Sequence, residues 1–257
     1  MRQSGVYVNL TPSERIAQIK SPALHRVHWQ PLTTTGTSNA LLRGVWQNQA
    51  VIVRLNASGV LTFGVDRQRE AAVLSQIQGQ PWAPHILANA PDDGWMLMAD
   101  YGDHRPQAAL IPWHALLLAC QQITTVPRLD YTLLIAAYAE ALPNTPMTQK
   151  LIRQMTDTLA ALPDHYRCLV HHDLHPGNLV GTAEDWRVID WEYAGLGCPW
   201  LDIAAVQQQG SMPIDIVATL PVAAGYRTDQ LVEILGHAHQ MNKLLEQAWL
   251  TVRKDEG

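Results

Sequence analysis

Apolar and polar positions divide the chain into a strand-rich first part and a helix-rich second part. Trp29 to Leu32 reads as a strand, followed by the polar segment Thr33 to Asn39. Ala40 to Trp46 and Ala50 to Leu55 flank Gln47-Asn48-Gln49, a hairpin pattern. In Asp66 to Gln78 the apolar residues Val73, Leu74 and Ile77 fall on one helical face, with Gly79 just past the end. Ile86 to Ala90 and Trp95 to Met98 read as two further strands around Pro91-Asp92-Asp93-Gly94. After Tyr101-Gly102 the pattern turns helical: Pro112 to Ile123, Leu129 to Leu142 and Met147 to Leu162, each bounded by proline or polar breaks. A short strand at Cys168 to Val170 precedes the polar run His171 to Asn178. Leu179-Val180 and Arg187 to Ile189 then form a second hairpin, and helices resume at Leu201 to Gln209 and Gln230 to Arg253. Strands first and helices later predict an α+β protein of two unequal lobes. The expected division is 1–100 and 103–257, hinged near 98–102.

Composition narrows the classes. At 257 residues and 47% hydrophobic, the chain can bury a large core. Only 16% of residues are charged, the net charge is −5, and no basic run appears, which argues against nucleic acid as a partner. The three cysteines, Cys120, Cys168 and Cys198, stand far apart and in no CxxC spacing, so they read as thiols of a reducing compartment. Met1 to Lys20 has no signal-peptide pattern, and Ala108 to Cys120 is too short and too interrupted to cross a bilayer. A cytoplasmic protein that binds no membrane and has no obligate protein partner is the expectation.

The most specific chemical signal is His171-x-Asp173-x-x-x-x-Asn178, followed after a hairpin by Ile189-Asp190. Phosphoryl transfer to an alcohol needs a carboxylate facing the hydroxyl and oxygen ligands for magnesium on the phosphates. A loop between short strands can present Asp173 and Asn178 to one cavity, and the hairpin can bring Asp190 to the same metal. Taken singly, an Asp before Pro176-Gly177 is ordinarily a turn residue. The cluster His171, His172 and His175 is also a cue for zinc, but HExxH spacing is absent and Pro176-Gly177 breaks any helix that would align the three.

On these residues the chain resembles the aminoglycoside phosphotransferase and choline kinase superfamily, relatives of the protein kinases. His171 to Asn178 is similar to its catalytic loop, and Val188 to Gly195 is similar to the segment carrying its second metal-binding Asp. The aromatic-Glu-Tyr continuation resembles the thiamine kinase and choline/ethanolamine kinase branches, the bacterial thiamine kinase branch most. The resemblance implies a two-lobed protein-kinase-like fold, with a small N-terminal antiparallel sheet plus helix and a larger, mainly helical C-terminal lobe. It implies ATP and Mg2+ as cofactors, Asp173 as catalytic base or hydroxyl-orienting group, Asn178 and Asp190 as metal ligands, and His171 as a brace for the loop. It puts Arg54 in the phosphate-contacting position, where protein kinases carry Lys, with Glu70 as its partner. Gly36, Thr37 and Ser38 would contact phosphates, although the loop is no glycine-rich fingerprint. Met98, Ala99, Asp100 and Tyr101 would offer backbone hydrogen bonds to adenine.

The resemblance at Ile189 to Gly195 implies most of what is expected of the acceptor, and residue chemistry adds the rest. Trp191, Glu192, Tyr193 and Trp249 supply aromatic faces and a carboxylate, the means by which proteins hold delocalised or quaternary cations. Asp202, ahead of the apolar Ile203 to Val206, caps that helix or braces the catalytic loop. The expected acceptor is a small cationic alcohol: thiamine first, then choline or ethanolamine, then an aminoglycoside or sugar. A binding-only pseudokinase and a metal-dependent hydrolase are the rivals; the first predicts loss of Asp173, Asn178 or Asp190, and all three are present.

Overall fold

A computed structural model describes residues 11–32, 39–57, 62–107, 111–163, 165–209 and 212–254. Two short helices, α1 (Pro12–Gln18) and α2 (Pro22–His25), precede a five-stranded antiparallel sheet. Its strands are β1 (Gln30–Pro31), β2 (Ala40–Trp46), β3 (Gln49–Leu55), β4 (Ile86–Ala90) and β5 (Trp95–Ala99), in the order β1-β2-β3-β5-β4. The β2–β3 hairpin closes more tightly than the expected three-residue loop. Trp46 pairs with Gln49, leaving Gln47 and Asn48 at φ 50° and 63°. Positive φ at both loop positions matches the right-handed strand twist, and Asn tolerates it better than most residues.

Alternation along β3 decides what each face of the sheet does. Val51, Val53 and Leu55 are buried with Leu42, Trp95 and Leu97 against α1 and α2. Ile52 and Arg54 point to the other face, as do Met96 and Met98. Against that second face lies α3 (Arg67–Ile77), capped by Asp66, whose carboxylate accepts from the amides of Gln68 and Arg69. Glu70, Val73 and Ile77, at helical spacing, form its buried stripe. Burial of each aliphatic chain contributes about 1.5–3 kcal/mol. The apolar core under α3 is continuous with that of the large lobe, so cores and chain halves do not coincide.

The large lobe holds α4 (Trp113–Gln121), α5 (Tyr131–Ala141), α6 (Pro146–Ala161), α7 (Pro199–Gln208), α8 (Ile214–Val217) and α9 (Thr228–Lys254). The 27 residues of α9 span roughly 40 Å and pack on α6 and α7. Two ribbons are nested between α6 and α7. The inner ribbon pairs β7 (Leu179–Gly181) with β8 (Trp186–Val188), and the outer one pairs β6 (Cys168–Val170) with β9 (Gly195–Gly197). The chain enters by β6 and leaves by β9, so the segments 171–178 and 189–194 both emerge where the two ribbons meet. That nesting brings distant parts of the sequence to one place. Cys120, Cys168 and Cys198 are all buried and unbridged. No helix among the described residues is long and apolar enough to cross a membrane.

Candidate active site

His171 stitches the two emerging segments together. The amide of Asp173 donates to its Nδ1 (3.2 Å), so the proton sits on Nε2, which donates to the carbonyl of Ile189 (3.0 Å). Burial holds the ring neutral, with its pKa lowered to about 4. The amide of Ile189 donates to the carbonyl of Asn178 (2.9 Å), so both ends of the loop are tied to the residue before Asp190. Asp202 lies beneath and accepts from the amides of His171 (2.7 Å) and His172 (3.0 Å). It is therefore a brace for the loop as well as a residue in the first turn of α7. Its burial pushes its pKa up to about 7 in spite of those two donors. Tyr131 adds a further support. Its hydroxyl accepts from the amide of Cys198 (2.8 Å) and shares a hydrogen bond with Nε2 of His172 (2.7 Å).

The supported groups converge. Nδ2 of Asn178 donates to the carbonyl of Asp173 (2.9 Å) and to its Oδ2 (3.0 Å), which leaves the amide oxygen of Asn178 free for other partners. Nε2 of His175 lies 3.6 Å from the same carboxylate, which is 42% exposed and open to a ligand. Asp190 stands at φ 66°, a left-handed conformation that re-aims its side chain. Burial raises its pKa to about 7, and the charges of Glu192, Asp173 and Glu70 push the same way, against Arg54. A carboxylate crowded by other carboxylates is a place that favours a cation. Among the described residues no group of three His, Cys, Asp or Glu side chains could hold a metal by itself. Magnesium needs less. It keeps several waters and is held by one or two protein oxygens together with phosphates, which Asn178 and Asp190 can supply.

From the small lobe, Arg54 comes close enough to Asp190 and Glu192 for both charges to act on it. It is 4% exposed, and Glu70 grips it in a fork, Nη1 to Oε1 and Nη2 to Oε2, both 2.6 Å. Burial opposes the charge, but Glu70 outweighs it and keeps the guanidinium ionised. The expected pairing is present. Where β5 ends, the amide of Ala99 donates to the carbonyl of His85 and that of Asp100 to Ala50, so these two amides are committed within the protein. Any adenine contact from this stretch falls to the carbonyls or to Tyr101. Arg43 holds the segment after β5 through Asp100 (Nη2 to Oδ1, 3.3 Å) and Asp103 (Nη2 to Oδ1, 2.7 Å). Gly36, Thr37 and Ser38 lie outside the described residues.

The acceptor-side expectations fare less evenly. Trp191 is 1% exposed and packed against Trp82 and His171, with its indole N–H donated to the carbonyl of Val188 (2.8 Å). It is a core residue and offers no face to a ligand. Glu192 is also buried, and its Oε2 accepts from Arg67 (2.9 Å) and Asn39 (3.0 Å) at the lobe boundary. Tyr193 and Trp249 do meet, with the indole N–H donating to the phenol oxygen (3.2 Å), but Arg253 lies 4.3 Å over the Trp249 ring. Sequence reasoning did not single out Arg67, Asn39, Arg43 or Tyr131. Only Arg67 carried a signal, standing three residues before Glu70 and therefore on the same helical face.

Residues 29–234 match the phosphotransferase enzyme family. The chain belongs to that family. The fold of this phosphotransferase is that of the choline kinase LicA from Streptococcus pneumoniae, with a TM-score of 0.71, 17% identity, and coverage of 95% of this chain and 92% of that one. A choline/ethanolamine kinase family protein from Mesorhizobium loti is also similar, with a TM-score of 0.64 and 19% identity over 95% and 86% of the two chains. Among curated proteins, the thiamine kinase of Shigella boydii is 54% identical to the phosphotransferase over 37 residues. That match spans 14% of either protein, so it is a local likeness only.

Proposed function

We propose that this phosphotransferase is an ATP-dependent kinase that moves the γ-phosphoryl group of Mg-ATP to the primary hydroxyl of a small cationic metabolite, thiamine first. The observation that supports it most is the meeting of Asp173, Asn178 and Asp190 at the mouth of the nested ribbons, opposite Arg54. Asp173, open to a ligand, orients the acceptor hydroxyl and receives its proton as the oxygen attacks. Asn178 and Asp190 hold magnesium, which when bound offsets the charge on the phosphate oxygens. Arg54, fixed by Glu70, gives the phosphates a positive anchor. The hinge borders the adenine site, and a solved complex of LicA with AMP has the same fold (TM-score 0.68).

For the acceptor, Tyr193 remains as an aromatic wall beside the carboxylates; the charges of Glu192, Asp173 and Asp190 all act on its hydroxyl. A flat heteroaromatic cation gains from such a face about 0.5–2 kcal/mol. The local likeness to thiamine kinases supports thiamine. Choline or ethanolamine is the second reading, favoured by the two similar folds. An ATP-consumption screen with thiamine, choline, ethanolamine, aminoglycosides and sugars tests both. Thiamine should give the highest kcat/KM; a higher value for another acceptor would replace the substrate, and no turnover with any would remove the kinase.

A further inference from the structure

The lobe boundary contains a closed ring of partly buried polar groups that the transfer chemistry leaves unused. Nη1 of Arg67 donates to Oε2 of Glu192 (2.9 Å), and Nη2 donates to Oδ1 of Asn39 (2.9 Å). Nδ2 of Asn39 returns to the same Glu192 oxygen (3.0 Å), and the amide of Ala57 donates to Oδ1 of Asn39 (3.0 Å). Nη1 of Arg67 also reaches Oε2 of Glu70 (2.9 Å), the carboxylate that grips Arg54. The side chains of Arg67, Glu70 and Glu192 are 14%, 2% and 4% exposed, so water screens these contacts little. The three members come from different places. Asn39 immediately precedes β2, Arg67 opens α3, and Glu192 lies in the large lobe two residues past Asp190.

We propose that Asn39, Arg67 and Glu192 are positioning residues that latch the lobes together and set Arg54 opposite Asp190. Arg67 is the only one of the three that touches both carboxylates, Glu70 behind Arg54 and Glu192 beside Asp190. A change in the separation of the lobes must break at least one of these contacts. The latch thereby couples the phosphate-facing cation to the metal-facing carboxylate, and it gives Glu192 a task other than contact with the acceptor. The proposal rests on the phosphotransfer reading for its kinetic consequences but not for its geometry.

Two measurements separate the latch from that reading. The first is a distance distribution between spin labels on cysteines introduced at Val45 and Leu133, exposed sites on opposite lobes, while the native cysteines are buried. Wild type should give one narrow distribution, and Arg67→Met a broader or displaced one, whether or not any substrate is turned over. The second is a kinetic cycle of Arg67→Met, Glu192→Gln and the double variant. Each single change should lower kcat and raise the KM for ATP together, leave the acceptor KM unaltered, and give a double variant about tenfold better than the product of the two losses. Arg67→Lys should recover part of the rate. Asn39→Ala, which removes no charge, should shift the same parameters about threefold and serves if Arg67→Met does not fold. An unchanged distance distribution in Arg67→Met or Asn39→Ala, strictly additive losses, or a Glu192→Gln effect on the acceptor KM alone would overturn the latch.

Discussion

The catalytic loop and the small-lobe cation face one cleft but are held there by different means. Asp173 and Asn178 are aimed by backbone. Amides and carbonyls of 171, 172, 173, 178 and 189 carry most of the bonds, tied together by the His171 ring and the Asp202 carboxylate, with one side-chain contact from Asn178 to Asp173. Arg54 is aimed by side chains alone, through Glu70 and Asn56, in a setting nearly closed to solvent. The first arrangement leaves Asp173 half-open and replaceable without loss of packing. The second joins the position of the cation to the stability of the fold, because a buried charge that loses its partner is costly.

The sharpest break between the two regions is expected at Asp173. Asp173→Asn keeps the shape of the side chain, so the thermal midpoint should hardly move, while kcat falls about 100- to 10,000-fold with nucleotide binding retained. A folded variant with near wild-type kcat would remove Asp173 from the chemistry. Glu70→Ala should behave in the opposite way. It strands Arg54 and takes one carboxylate from Arg67, so denaturant unfolding should show a loss of about 3–5 kcal/mol, together with a raised KM for ATP. A loss under 1 kcal/mol would mean that the pair is not held as the geometry implies.

The last test, which leaves catalysis aside, concerns the brace itself. Burial lowers the pKa of the His171 ring to about 4, against 6.5 for an ordinary imidazole. Between those two values the unfolded chain binds a proton that the native ring refuses, so stability is lost as the pH falls. The stability difference between wild type and His171→Gln should therefore shrink by about 1.4 kcal/mol per pH unit from 6.5 down to 4, read by urea unfolding at a series of pH values. A difference that stays constant across that window would show that the ring is not held neutral.

How much the sequence disclosed follows the same division. A group positioned by its own local backbone leaves a fixed spacing, so HxDxxxxN and Ile189-Asp190 stand out in the sequence. Strands with one buried face were legible from their composition, and even the Arg54–Glu70 pairing could be expected once the family likeness placed them. β9 was not legible because its two glycines, Gly195 and Gly197, are poor strand formers. Gly197 is required where a Cβ would lie 2.6 Å from the hydroxyl of Tyr131. α1 and α8 are short, and their helical state depends on packing rather than on a long periodic pattern. Trp191 was misread because an aromatic residue beside a functional Asp suits a pocket wall and a core equally well; only its 1% exposure distinguishes them. The contacts among Arg67, Asn39 and Glu192 span up to 153 residues and leave no spacing to read.

The shared core beneath α3 has a consequence for cutting the chain. A fragment ending near residue 102 would carry Val73, Leu74, Ile77, Met96 and Met98 without the large-lobe side chains that complete their surroundings. The complementary fragment would bare the other half of the same apolar surface. Each piece alone would thus display a broad sticky face of the sort that drives self-association. Expressed together, the two would find in each other the surface each lacks, so a break near 102 makes a reporter that regains its structure only when its halves meet.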